Sequence, residues 1–129
     1  MRFSESSLKI VHFEYNADRS EDEITENNCK VAFGAKKNSE TDKNTVFYFR
    51  WIVKFSSING IILDIIGEDS YDIDDPSLIT AEEMLLLMKK SLSDFRIKIY
   101  AKLKRVLVFD IPIDESQAAT FLIKLCHEQ

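Results

Sequence analysis

From Thr45 to Phe55 the chain reads TVFYFRWIVKF, and Phe47, Phe49, Trp51, Val53 and Phe55 form an unbroken apolar row at every second position. A strand sends alternate side chains to opposite faces, so this row commits the segment to a strand with one face on a core. The intervening positions are not uniformly polar. Val46, Tyr48 and Ile52 stand among Arg50 and Lys54. The strand therefore carries apolar surface on both sides, and whatever covers the second side bears on function.

Other segments read the same way. Leu8 to Tyr15 (LKIVHFEY) is rich in β-branched and aromatic residues and is predicted as a first strand, with Val11, Phe13 and Tyr15 on one face and Leu8, Ile10, His12 and Glu14 on the other. Asn16 to Asn28 is polar and acidic and reads as a loop. Cys29 to Ala35 alternates with Cys29, Val31, Phe33 and Ala35 inward, and Gly34 is a candidate bulge. SSING reads as a tight hairpin connection into Ile61 to Ile66 (IILDII), which Gly67 is expected to bend before Tyr71 and Ile73 resume it. Four strands in succession with short connections imply an antiparallel sheet.

The period then changes. Thr80 and Glu83 have the spacing of a capping box, and Met84, Met88, Leu92, Phe95, Ile99 and Leu103 follow at intervals of three and four. No Gly or Pro interrupts them, so the spacing predicts one long helix from about Ala81 to Lys104. VLVFDIPID is extended, because Pro112 disfavours helix at the residue before it. Asp114 with Gln117 repeats the capping pattern, and Ala118, Phe121, Leu122 and Leu125 line one face of a short C-terminal helix. The fold class is α+β, in one domain over residues 1–129: four antiparallel strands, a long helix, an extended crossover and a short helix.

Chemistry is sparse. His12 and His127 are the only histidines, and neither has a Cys, Asp or second His at ligand spacing, so no metal is expected. Cys29 and Cys126 form no metal or redox motif. Glu68 to Asp75 has the carboxylate density of a calcium loop without its glycine and closing glutamate, and reads as an acidic connection before a helix N-terminus. Phosphate-cradling glycine motifs are missing. No catalytic residue and no cofactor is expected, and an enzyme is not the first reading. A net charge of −5 disfavours nucleic acid as the main partner, although Lys89, Lys90, Arg96, Lys98, Lys102, Lys104 and Arg105 make the long helix basic. No window approaches a membrane span, and MRFSESSLK lacks a signal-peptide core, so the expected compartment is the cytoplasm.

The two-faced strands are the stronger signal. Val46, Tyr48 and Ile52 share a face, and the fourth strand offers Ile62, Asp64 and Ile66 in alternation, with Leu8 and Ile10 expected beside them. One long and one short helix are too few to cover both sides of the sheet. An uncovered patch of this kind usually marks an interaction surface.

In its order of elements the chain resembles the SecB export chaperones and the wider SecB-like group, some of which accompany toxin–antitoxin pairs. IVHFEYN is similar to the family's first-strand pattern, ILDIIGEDSYDI to its fourth strand, and LSDFRIKIYAKLKRVLVFDIPIDESQAATFLIKL to its helix, Pro-containing link and closing helix. The resemblance implies a Greek-key sheet with two helices after it, assembly as a homo-oligomer (dimer or tetramer), and apolar grooves that hold unfolded polypeptide clients without ATP. It also implies an acidic outer sheet face for a translocation motor, where the family pattern matches Glu14, Ile62 and Asp64. The chain departs from that pattern at Ile10, where the exporters carry a carboxylate.

The first functional reading is therefore an ATP-independent, SecB-like client-binding module. Its outer partner face would comprise Glu14, Val46, Tyr48, Ile52, Ile62 and Asp64. Its client groove would draw on Ile73, Leu78, Phe121 and Leu125, with Met84 and Met88 serving as core or groove. Two alternatives stand beside it. One is a small ligand-binding or enzymatic domain whose pocket, between sheet and helix, uses Tyr48, Arg50 and Asp64. The other is a structural subunit that uses the second sheet face to oligomerise.

Overall fold

A computed structural model of the protein describes residues 3–16, 25–39, 44–58, 60–74, 78–104 and 115–127. Four strands, β1 (Phe3–Tyr15), β2 (Cys29–Ser39), β3 (Asn44–Ser57) and β4 (Gly60–Asp74), precede two helices, α1 (Ala81–Leu103) and α2 (Glu115–His127). The strands are antiparallel in the order β1-β4-β3-β2, so β2, β3 and β4 form a meander and β1 returns beside β4. That is the Greek-key arrangement. The expected crossover through Pro112 and the Asp114 cap lie outside the described residues.

The apolar row of β3 does what its period requires. Phe47, Phe49, Trp51, Val53 and Phe55 are buried and face the helices. Each such side chain contributes roughly 1.5–3 kcal/mol on leaving water, which makes β3 the centre of the core. Phe33 and Phe95 both neighbour Trp51, at ring-centroid distances of 4.4 and 6.5 Å. From α1 the core receives Met84, Leu87, Met88, Leu92, Phe95 and Ile99, and from α2 Ala118 and Leu122.

The start of α1 is set locally. Glu83 N–H donates to Thr80 Oγ1 at 3.2 Å, while Thr80 N–H and its hydroxyl donate to Glu83 Oε1 at 3.1 and 3.0 Å. This reciprocal capping box satisfies amides that the first turn otherwise leaves open. The helix ends at Lys104, which takes a left-handed conformation at φ 58° and donates its N–H to Tyr100 O.

Several local expectations are corrected. Gly34 and Gly67 do not interrupt the β2–β3 and β3–β4 ladders, in which they pair with Arg50 and Trp51. Gly67 is there for clearance: a Cβ at this position would stand 2.7 Å from the Phe95 ring and 3.1 Å from Leu8. The acidic run from Glu68 to Asp74 belongs to β4 and is not a connection. The irregularities fall elsewhere. One lies in β4 next to the Phe55/Ser56 step, and two lie in β1, between Ser6 and Lys9 and between Ile10 and His12.

Candidate functional site

Both helices pack on one side of the sheet, through the core residues just named. The opposite side carries the even-numbered residues of β3, none of them in the core. Cross-strand register arranges this open face in rows. Ala32, Ile52, Ile66 and His12 form one row, from β2 to β1. Gly34, Arg50, Glu68 and Lys9 form the next, and Lys36, Tyr48 and Ser70 the one beyond it. Cross-strand neighbours lie about 5 Å apart, so each row is a line of touching or near-touching side chains.

The middle of the face sinks into an open trough of about 540 Å3, with Lys9, Lys36, Tyr48, Arg50 and Glu68 among its lining residues. Gly34 contributes to the hollow, because nothing approaches within 4 Å of where its Cβ would stand. Lys36 Nζ lies 5.6 Å from the centroid of the Tyr48 ring, within cation–π range. At one end the row Lys30, Lys54, Asp64 and Glu14 places two cations and then two carboxylates across the four strands. Asp64 Oδ2 lies 3.9 Å from Lys54 Nζ and 3.6 Å from His12 Nε2.

Of the expected partner-face residues, Glu14, Val46, Tyr48, Ile52 and Asp64 lie on this face. Ile62 does not: it is fully buried. Phe55 pairs with Leu63 and Ser56 with Ile61, so Ile62 is the extra residue of a bulge and turns inward. Leu8 and Ile10 are corrected for a related reason. The irregularity between Ile10 and His12 changes the phase of β1, putting Leu8 and Ile10 with the core while His12 and Glu14 stay on the open face.

The expected client-groove residues do not share one exposed surface. Ile73, Met84 and Met88 are core, and Leu125 is half-buried against it. Leu78 and Phe121 are exposed, and the shallow cavity beside Phe121 is lined by Ser116, Gln117 and Thr120. The alternative pocket between sheet and helix is also corrected, since Tyr48 and Arg50 point away from the helices and Asp64 does not line the trough. The basic stripe of α1 is partly engaged. Lys89 lies 3.6 Å from Glu115 of α2, Lys90 lies 4.0 Å from Asp94, and Lys102 stands over the Phe13 ring.

Fold and surface together define an α+β protein in which, among the described residues, both helices lie on one side of the sheet and the other side is left open. Neither a protein-family model nor a curated protein matches the chain. Among solved structures it is similar to the crystal structure of a protein of unknown function from Streptococcus agalactiae, with a TM-score of 0.54 and 16% identity over 84% of this chain and 98% of that one. The likeness is one of fold. Among the described residues no helix is long and apolar enough to cross a membrane.

Proposed function

We propose that this chain is a SecB-like, ATP-independent binding module that holds unfolded or aggregation-prone polypeptide, acting in the cytoplasm as a homo-oligomer. The observation that carries this reading is the open sheet face, on which Val46, Tyr48, Ile52 and Ile66 remain outside the core. Extended polypeptide presents alternating side chains and a polar backbone, and a troughed face with apolar positions among charges suits both.

Magnitudes favour several copies acting together. Covering a patch of roughly 300 Å2 at ~25 cal/mol per Å2 gives about 7 kcal/mol, while association costs about 4–15 kcal/mol. One patch therefore holds a client weakly, and linked patches hold it well. Leu86 and Ile97 supply a surface for assembly, since they are exposed and lie eleven residues apart on α1, on nearly the same helical azimuth.

The test is suppression of aggregation of an unrelated unfolded protein, together with sedimentation of the chain alone. Oligomers and suppression that fall with Tyr48→Asp and Ile52→Asp support the reading. A monomer at all concentrations, with no effect on aggregation, rejects it. The trough favours a second reading, as a site for a small anionic ligand between Lys9, Lys36 and Arg50, with a volume in the usual range of ligand pockets. Tight, saturable binding of one such compound, abolished by Arg50→Gln, would favour that reading over the first.

A further inference from the structure

We propose that His12, Glu14 and Asp64 form a divalent-cation site at the edge of the open face, suited to a first-row transition ion such as Zn2+, Co2+ or Mn2+. Among the described residues this is the one set of three possible ligand side chains whose donor atoms all lie within 4.8 Å of one another. Two neighbouring strands suffice to build it. His12 and Glu14 are alternate residues of β1, so they share a face, and Asp64 of β4 is the registered partner of Glu14. Such donors sit on a hydrogen-bonded ladder and not on a loop, which fixes their spacing before any ion arrives.

Two further observations point to a cation. Glu14 and Asp64 are like charges directly opposite each other across the ladder, an arrangement that destabilises a sheet unless something positive stands between them. Asp64 Oδ1 is also buried with no hydrogen-bond partner among the described residues. A buried carboxylate oxygen without a donor is costly, and an ion that Asp64 bound through both of its oxygens would satisfy it. Neither neighbouring base relieves that oxygen. His12 Nε2 and Lys54 Nζ both approach Oδ2, at 3.6 and 3.9 Å, too far for a hydrogen bond.

The donor set decides the class of ion. One imidazole nitrogen with two carboxylates suits Zn2+, Co2+ or Mn2+, whereas Ca2+ and Mg2+ prefer oxygen throughout. Three protein ligands on an exposed face leave further positions to water, so the site would exchange its ion readily. Lys54 is the competing charge, and its flexible stem lets it leave Asp64 when the ion enters.

The test uses the full chain without a polyhistidine tag, stripped with chelator and titrated with Co2+ or Zn2+ in slightly alkaline buffer. Absorption is followed for Co2+, and calorimetry and melting temperature for both ions. Saturable binding at one ion per chain and a raised melting temperature are expected. His12→Gln and Glu14→Gln, both at exposed positions, should each weaken binding by roughly tenfold or more. Glu68→Gln on the same face and His127→Gln should leave it unchanged. No saturable binding up to about 1 mM overturns the proposal. So does binding that survives either His12→Gln or Glu14→Gln, or that Glu68→Gln or His127→Gln removes equally.

Discussion

Trp51 donates its indole N–H to Ser91 Oγ at 2.7 Å, a buried bond that joins the middle of β3 to the middle of α1. Ser91 passes the interaction on, donating to Asp69 Oδ1 at 3.0 Å, while Tyr71 donates to Asp69 Oδ2 at 3.1 Å. The apolar contacts around this chain of bonds are non-directional and tolerate sliding. The polar chain does not, so it fixes where the helix sits along the sheet.

Ser91→Ala should therefore cost about 2–3 kcal/mol, well above an ordinary surface change, because it removes the acceptor of Trp51 and one donor of Asp69 together. Urea denaturation of wild type, Ser91→Ala, Trp51→Phe and the double variant measures the coupling. The double variant is expected to be less destabilised than the sum of the two singles, since the Ser91–Trp51 bond is lost only once. Additive losses would show that the bond carries no energy of its own.

The two strand glycines should respond in opposite ways to alanine. At Gly67 the new methyl meets the Phe95 ring at 2.7–2.8 Å, and that ring is itself stacked near Trp51. Overpacking of this kind costs about 1–3 kcal/mol. At Gly34 the methyl meets nothing within 4 Å, and strand entropy then favours alanine by up to about 1 kcal/mol. Melting temperatures of the two variants test the contrast, and equal effects would refute it.

What the sequence made legible was local. The row from Phe47 to Phe55 and the Thr80–Glu83 box depend on neighbours a few residues away, and both stand as expected. Features set between strands were not legible. The inward turn of Ile62, the transfer of Leu8 and Ile10 to the core, and the meeting of His12 with Glu14 and Asp64 all depend on bulges and register. Asp69 was hidden in an acidic run that resembled a loop. Its only signal was its phase, two residues before inward-facing Tyr71 and four before Ile73.

The capping box predicts a pH dependence. The Glu83 carboxyl is held below its ordinary value of 4.5, first by the Thr80 backbone N–H and then by the Thr80 side chain. A carboxylate with a lowered folded-state value stabilises fully above the ordinary value and loses that contribution as pH falls through the lowered one. Glu83→Gln keeps a neutral version of the box. Its stability relative to wild type should stay constant above about pH 4.5 and improve in more acidic solution. Thr80→Ala should cost about 1 kcal/mol at neutral pH. A Glu83→Gln difference that does not vary with pH would show that the cap does not lower the Glu83 carboxyl.

The two sides of the sheet can be separated with one kind of substitution. Ile62→Asp places a charge at a fully buried bulge position within the apolar core and should abolish cooperative folding. Ile52→Asp and Tyr48→Asp place the same charge on the open face, beside Lys54 and Lys36 respectively. Water and those lysines accommodate it, so each should cost no more than about 1 kcal/mol, the span of strand propensity. Chemical denaturation with circular dichroism measures all three. If Ile52→Asp unfolds the chain as Ile62→Asp does, the face is closed in solution and cannot receive a polypeptide. If Ile52→Asp folds and fails to suppress aggregation, stability and binding have been separated on one strand. The open face is then the part of the molecule that binds.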